Sequence, residues 1–143
     1  MPAHEQLLRF TQMEHDGAQL RSRFSSLTLA HGFFQANGLK SISVSDELDD
    51  GGIEVVFMDV RIRFQMLTMF NDAFEARGRV FCTHCHRTYG EPVQEKLGGF
   101  IFDIEGATDL DTCVEGQVVG LAHSAPQIVL TFLERAMAAN RGF

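Results

Sequence analysis

The chain has 143 residues, a formal net charge of −7, and 45% hydrophobic against 22% charged residues, the size and balance of one globular domain, residues 1–143, able to bury its own core. An acidic surface repels phosphates, which argues against nucleic acid and anionic membranes and leaves a basic protein partner attractive. Three cysteines cannot complete a disulfide framework, "MPAHEQLLRF" lacks the basic and apolar regions of a secretory signal, and no apolar run nears the ~18 residues of a membrane span, so a cytoplasmic protein with reduced thiols is expected.

The first segment is helical by period. Leu7, Phe10, Met13 or Glu14, Gly17, Leu20, Phe24, Leu27 and His31 recur at intervals of three and four, one stripe of an amphipathic helix. It is one long helix or two, broken near Gly17 or at "RFSS", and Gly38 after Asn37 is suited to end it in a left-handed cap. The period then changes. "SISVSDE" alternates Ile42 and Val44 with serines, as a strand does. "DDGG" at residues 49–52 is a turn, and "IEVVFM" is the next strand. In "VRIRFQM", Val60, Ile62, Phe64 and Met66 alternate with Arg61, Arg63 and Gln65, the pattern of an antiparallel strand with one wet face. "NDAFEARG" is a connection with room for one helical turn.

"RVFCTHCHR" is a further strand, "YGEP" a turn, and "GGFIFDIE" a strand with Phe100, Phe102 and Ile104 on one side. Gly98 and Gly99 mark a bulge there. "GATDLD" is a turn or helix start, and residues 113–122 lean towards strand. The last element is a helix: Ser124 can cap it, Pro126 fits its first turn, and Val129, Phe132, Leu133, Ala136 and Met137 form its apolar stripe. This order predicts an α+β fold: an antiparallel sheet of four to six strands with the N-terminal and C-terminal helices packed on one face. Thirteen phenylalanines, one tyrosine and no tryptophan imply a core filled by rings that need no polar partner.

Chemistry is concentrated in "VFCTHCHRTYG", residues 80–90. Cys82, Cys85 and His86 spell C-x-x-C-H, the haem-attachment motif, but within a strand and without an export signal. A redox pair needs a helix N-terminus beside its first thiol. Structural zinc needs about four ligands, and residues three apart on a straight strand point to opposite faces. Val80, Cys82, His84 and His86 share one face. The first expectation is therefore no cofactor and a buried, inert Cys82. The alternative is a metal or redox centre built from Cys82, His84, Cys85 and His86, with zinc as the ion. Cys113 and His123 could join it only through tertiary contact.

No G-x-S-x-G, phosphate-cradling glycine loop or H-E-x-x-H is present. The acidic groups at Asp46, Glu47, Asp49 and Asp50, and at Asp103, Glu105, Asp109 and Asp111, do not follow calcium-loop spacing. A small-molecule pocket lined by Phe and Met would lack a polar constellation to orient its ligand.

The alternation also defines a second sheet face. It carries Arg61, Arg63, Gln65, Arg79, Phe81, Thr83, Cys85, Arg87, Ile101, Asp103 and Glu105, with Phe81 and Ile101 as apolar groups in a charged frame. The functional expectation is a non-enzymatic protein-binding module of the small acidic chaperone, adaptor or inhibitor type. Arg61, Arg63, Phe81 and Ile101 are its candidate interface, and the partner is another protein or a second copy of the chain.

Overall fold

The helical period at the N-terminus builds α1 (Ala3–Ser25), a single 3-10 turn (Ser26–Thr28) and α2 (Leu29–Ala36). These elements belong to a computed structural model that describes residues 3–46, 50–110 and 119–139. The break falls at "RFSS" and not at Gly17. The Ser26 and Thr28 hydroxyls donate to the Arg23 and Ser25 carbonyls, the local side-chain bonds that compete with a continuous α-ladder. Gly38, at φ 85°, stops α2 as its sequence implies.

Seven strands follow: β1 (Ile42–Ser45), β2 (Ile53–Phe57), β3 (Val60–Phe70), β4 (Ala76–Thr88), β5 (Glu91–Phe102), β6 (Ala107–Thr108) and β7 (Val119–Gly120). They pair in chain order, every neighbour antiparallel, because each connection between the longer strands is short enough to make only a hairpin. Two of the seven are two-residue strands, and these raise the count above four to six. The helix α3 (Ala125–Ala139) closes the chain. The fold is α+β, with the helices over one face of the sheet.

The core faces agree with the alternation. Ile62, Phe64, Val80, Cys82, Phe100 and Phe102 are all buried, and they meet Leu20, Phe24 and Leu27 from the N-terminal helices and Val129, Phe132, Leu133 and Ala136 from α3 in one cluster. Phe64 stands edge-on to Phe132, with ring centroids 5.4 Å apart at 89°, the geometry that the ring quadrupole favours. Three apolar members of the helical stripes are exposed. Met137 is 37% exposed, and Leu7 and Phe10 are more than half exposed. At 1.5 Å per residue α1 is about 35 Å long; beside its first turns Leu7, Phe10, Met13, Thr68 and Phe70 line an open groove at the end of β3.

Several boundaries differ from the sequence reading. The turn after "HCHRT" is only Tyr89 and Gly90, both at positive φ, so "EPVQEKL" is strand and not turn. A two-residue hairpin of that kind matches the twist of the flanking strands. Residues 71–75 are a turn and not a helical one: the Asn71 side-chain oxygen accepts the Ala73 and Glu75 N–H groups. "GATDLD" supplies β6, and β5 ends at Phe102, because the Asp103 carboxylate accepts the Glu105 and Ala107 N–H groups and turns the chain. Of residues 113–122, Val119–Gly120 is strand and Leu121 begins a turn; Cys113 lies outside the described residues, as do Glu47, Asp49 and Asp111.

Truncation of the central rings tests these face assignments. Phe64→Ala and Phe102→Ala are each expected to cost about 3–5 kcal/mol, measured by urea unfolding. A loss below about 1 kcal/mol in either variant contradicts the assignment.

Candidate functional site

β4 and β5 are in simple antiparallel register from Gly78↔Phe102 to Cys82↔Gly98. The next pair is Thr83↔Lys96, not Thr83↔Leu97. One extra residue on β5 is a β-bulge, and the glycine pair permits it. Gly98 takes φ +109°, which side chains other than hydrogen resist, and a Cβ there would also meet Arg135 Nη1 at 3.0 Å. A Cβ on Gly99 would lie 2.0 Å from the Val80 carbonyl oxygen, so the two strands close only around glycine. Side-chain parity on β5 therefore inverts below the bulge. In straight register Lys96 would oppose His84 and Glu95 would oppose Cys85. In the bulged register Lys96 opposes Thr83 on the uncovered face, and Glu95 opposes His84 on the helix-covered face.

On the uncovered face a groove of about 510 Å³ lies over the β4–β5 pairing at the bulge. Phe81 lies opposite Gly99 and Ile101 opposite Arg79, so the groove has apolar walls and a backbone floor. Arg79, Lys96, Thr83 and Asp109 frame it. Phe81 is 41% exposed, with the Arg79 guanidinium 5.2 Å from its ring centroid. Asp109 is held in place by the Ile101 N–H at 2.8 Å.

Arg61 and Arg63 share this face but not the groove. Both lean on Glu54 of β2, at 3.5 and 3.6 Å; Arg63 is directly across from it. Exposed pairs of this kind add little stability. Asp103 and Glu105, expected on the face, belong instead to the turn after β5. Alternation and the bulge together put Arg61, Arg63, Arg77, Arg79, Arg87 and Lys96 on one face, half of the chain's 12 Lys and Arg residues. A protein of net charge −7 thus presents a locally cationic surface.

The cysteines and histidines divide between the two faces. Cys82 is buried in the core, and burial drives its thiol pKa far up, which leaves it protonated and unreactive. Cys85 is on the uncovered side, with its sulfur 3.9 Å from the Thr83 hydroxyl. His84 and His86 are on the helix-covered side with Glu95, the ligating atoms of all three lying within 4.8 Å of one another. His86 Nε2 and Glu95 Oε1 are 2.9 Å apart. Burial, and secondarily the neighbouring His86, lowers the pKa of His84, which favours its neutral ring. The structure therefore brings together two of the four residues of the C-x-x-C-H stretch and adds Glu95, which the sequence reading missed. Lys96 and Asp109 were missed on the groove side. The Gly98–Gly99 doublet is the one sequence signal that could have found Glu95 and Lys96, because it announces a bulge.

No family model, curated protein or solved structure matches the chain.

Two outcomes test the site's construction. Gly99→Ala is expected to destabilise the protein by about 2 kcal/mol or more, since the backbone of β4 must move; a melting temperature equal to wild type contradicts the bulge. Under native conditions a thiol reagent is expected to modify Cys85 and spare Cys82, as read by peptide mass mapping; equal rates contradict the burial of Cys82.

Proposed function

We propose that the protein is a non-enzymatic protein-binding module that receives an acidic segment of a partner protein on the uncovered face of its sheet. The observation that carries this reading is the groove over Gly98 and Gly99, with Phe81 and Ile101 as walls and Arg79 and Lys96 at the rim. An apolar centre inside a polar rim is the anatomy of a protein interface, and a partly exposed aromatic ring beside an arginine is the kind of anchor that carries binding energy. Complementarity of charge selects the partner. Among the described residues, neither Arg79 nor Lys96 is in a side-chain ion pair, so carboxylates on an incoming segment would meet unsatisfied cations and be steered to the groove. The net charge alone would favour a basic partner; the local charge of this face favours an acidic one.

The test compares wild type with two double variants, Phe81→Ser with Ile101→Ser and Arg79→Glu with Lys96→Glu. Both should melt close to wild type. Each should release a partner captured from the native host, by a factor of roughly 30 or more for the apolar pair, as for other anchor residues. Capture by wild type should weaken with salt, and cross-links from position 83 should fall in acidic stretches of the partner. Retention of the same proteins by wild type and both variants would sink the reading. Saturable binding of a single-stranded oligonucleotide at this face would replace the protein partner with a nucleic acid. Sedimentation at increasing concentration applies the same comparison to a second copy of the chain.

A further inference from the structure

The helix-covered face holds a second constellation at the far end of β4 and β5. His84 and His86 are two residues apart on β4 and so project from the same side. Glu95, directly opposite His84, joins them only because the bulge has inverted parity on β5. We propose that His84, His86 and Glu95 form a binding site for one divalent transition-metal ion of the zinc type.

Three observations carry the proposal. The first is convergence: His86 Nε2 and Glu95 Oε1 are 2.9 Å apart, and the rings of His84 and His86 lie side by side with centroids 4.8 Å apart and planes at 34°. Tetrahedral zinc, with bonds of about 2.0–2.1 Å, sets its ligand atoms roughly 3.4 Å apart. The widest separation within the trio is 4.8 Å, so small side-chain rotations close the set. The His86 and Glu95 side chains are 25% and 46% exposed and free to make them. The second is an unmet polar group. His84 is 1% exposed, and its Nδ1 is buried with no hydrogen-bond partner among the described residues. Buried ring nitrogens are normally satisfied, and a histidine inside the sheet-to-helix layer gives no packing advantage over an apolar residue. The third is ligand chemistry. Two imidazoles and one carboxylate suit zinc and its first-row neighbours, whereas calcium and magnesium take oxygen ligands.

The set excludes the thiolates that the C-x-x-C-H spelling suggests. Cys82 points into the core, and Cys85 faces the opposite side of the sheet. Three protein ligands leave a fourth position for water or for a donor from another molecule. The site and the groove lie on opposite faces, so either can fail without the other.

The test uses the full chain without a histidine tag, stripped by chelator and titrated with Zn(II) by calorimetry and with Co(II) by absorption. The expected result is one ion per chain and no sulfur-to-metal charge-transfer band. Loss of even an outer-shell partner typically costs about 10–100-fold in affinity, so His86→Ala and Glu95→Gln should each weaken binding at least roughly tenfold. Cys85→Ser and His123→Ala should leave it unchanged. In the unaltered protein, Zn(II) should shift the ring-nitrogen resonances of His84 and His86 and leave those of His31 and His123 in place, a readout that needs no variant to fold. Absence of saturable binding overturns the proposal. So does binding that is indifferent to His86→Ala and Glu95→Gln, or binding that shows a thiolate band and disappears with Cys85→Ser.

Discussion

The one-residue slip between β4 and β5 is the constraint on which both candidate sites depend. Side chains on a strand alternate with a period of two, so a single extra residue exchanges the two faces for everything beyond it. Here the exchange moves Lys96 to the uncovered face and Glu95 to the helix-covered one. It also leaves two glycines side by side opposite Cys82 and Phe81, where a Cβ on the second would collide with the Val80 carbonyl. The groove lies over this stretch of the β4–β5 pairing on the uncovered face. The His–His–Glu cluster is the arrangement that the inverted parity creates.

The slip can be held because the core on either side of it is rigid. Phe100 lies just past the glycine pair, with its ring 6.5 Å from that of Phe102 and 6.2 Å from that of Phe132 on α3. Arg135 of the same helix stacks over Phe132 at 4.6 Å and donates to the Leu97 carbonyl at the bulge. That bond ties α3 to the displaced residue of the bulge. The last helix thus serves the sheet twice, as an apolar lid over the core and as the donor that holds the bulge in shape. Interior rings packed to crystal-like density transmit little slack, so the walls of the groove stand on a fixed base.

Charge follows the same geometry. Most of the described acidic residues lie in turns and helices, while alternation along β3 and β4 collects arginines on the side that no helix covers. A net charge is a statement about solubility and long-range steering, not about any one face. For a contact made in a groove, the charges within a Debye length decide, and around Phe81 these include Arg79 and Lys96.

The sequence by itself determined the element types, their order and most of the side-chain facing. The period of 3.6 in residues 20–27 and 129–136 and the period of 2 in residues 60–66 and 80–86 are local signals, and burying one face of each leaves a single solution: helices over one side of an antiparallel sheet. It also marked Gly98 and Gly99 as a bulge and put Phe81 and Ile101 on the wet face. The extent of β5 was hidden, because in "EPVQEKL" only Val93 and Leu97 are partly buried, too few apolar positions for an alternation to be read. The exposed start of α1 was hidden for a related reason: Leu7 and Phe10 keep the period of the buried stripe, but only the position of the sheet decides where burial ends. The partners of Lys96 and Glu95 were decided by tertiary structure alone. Which residue a bulge displaces, and so which face each charge reaches, is set by the pairing of two strands and the helix packed across them, a contact that no spacing within one strand can express.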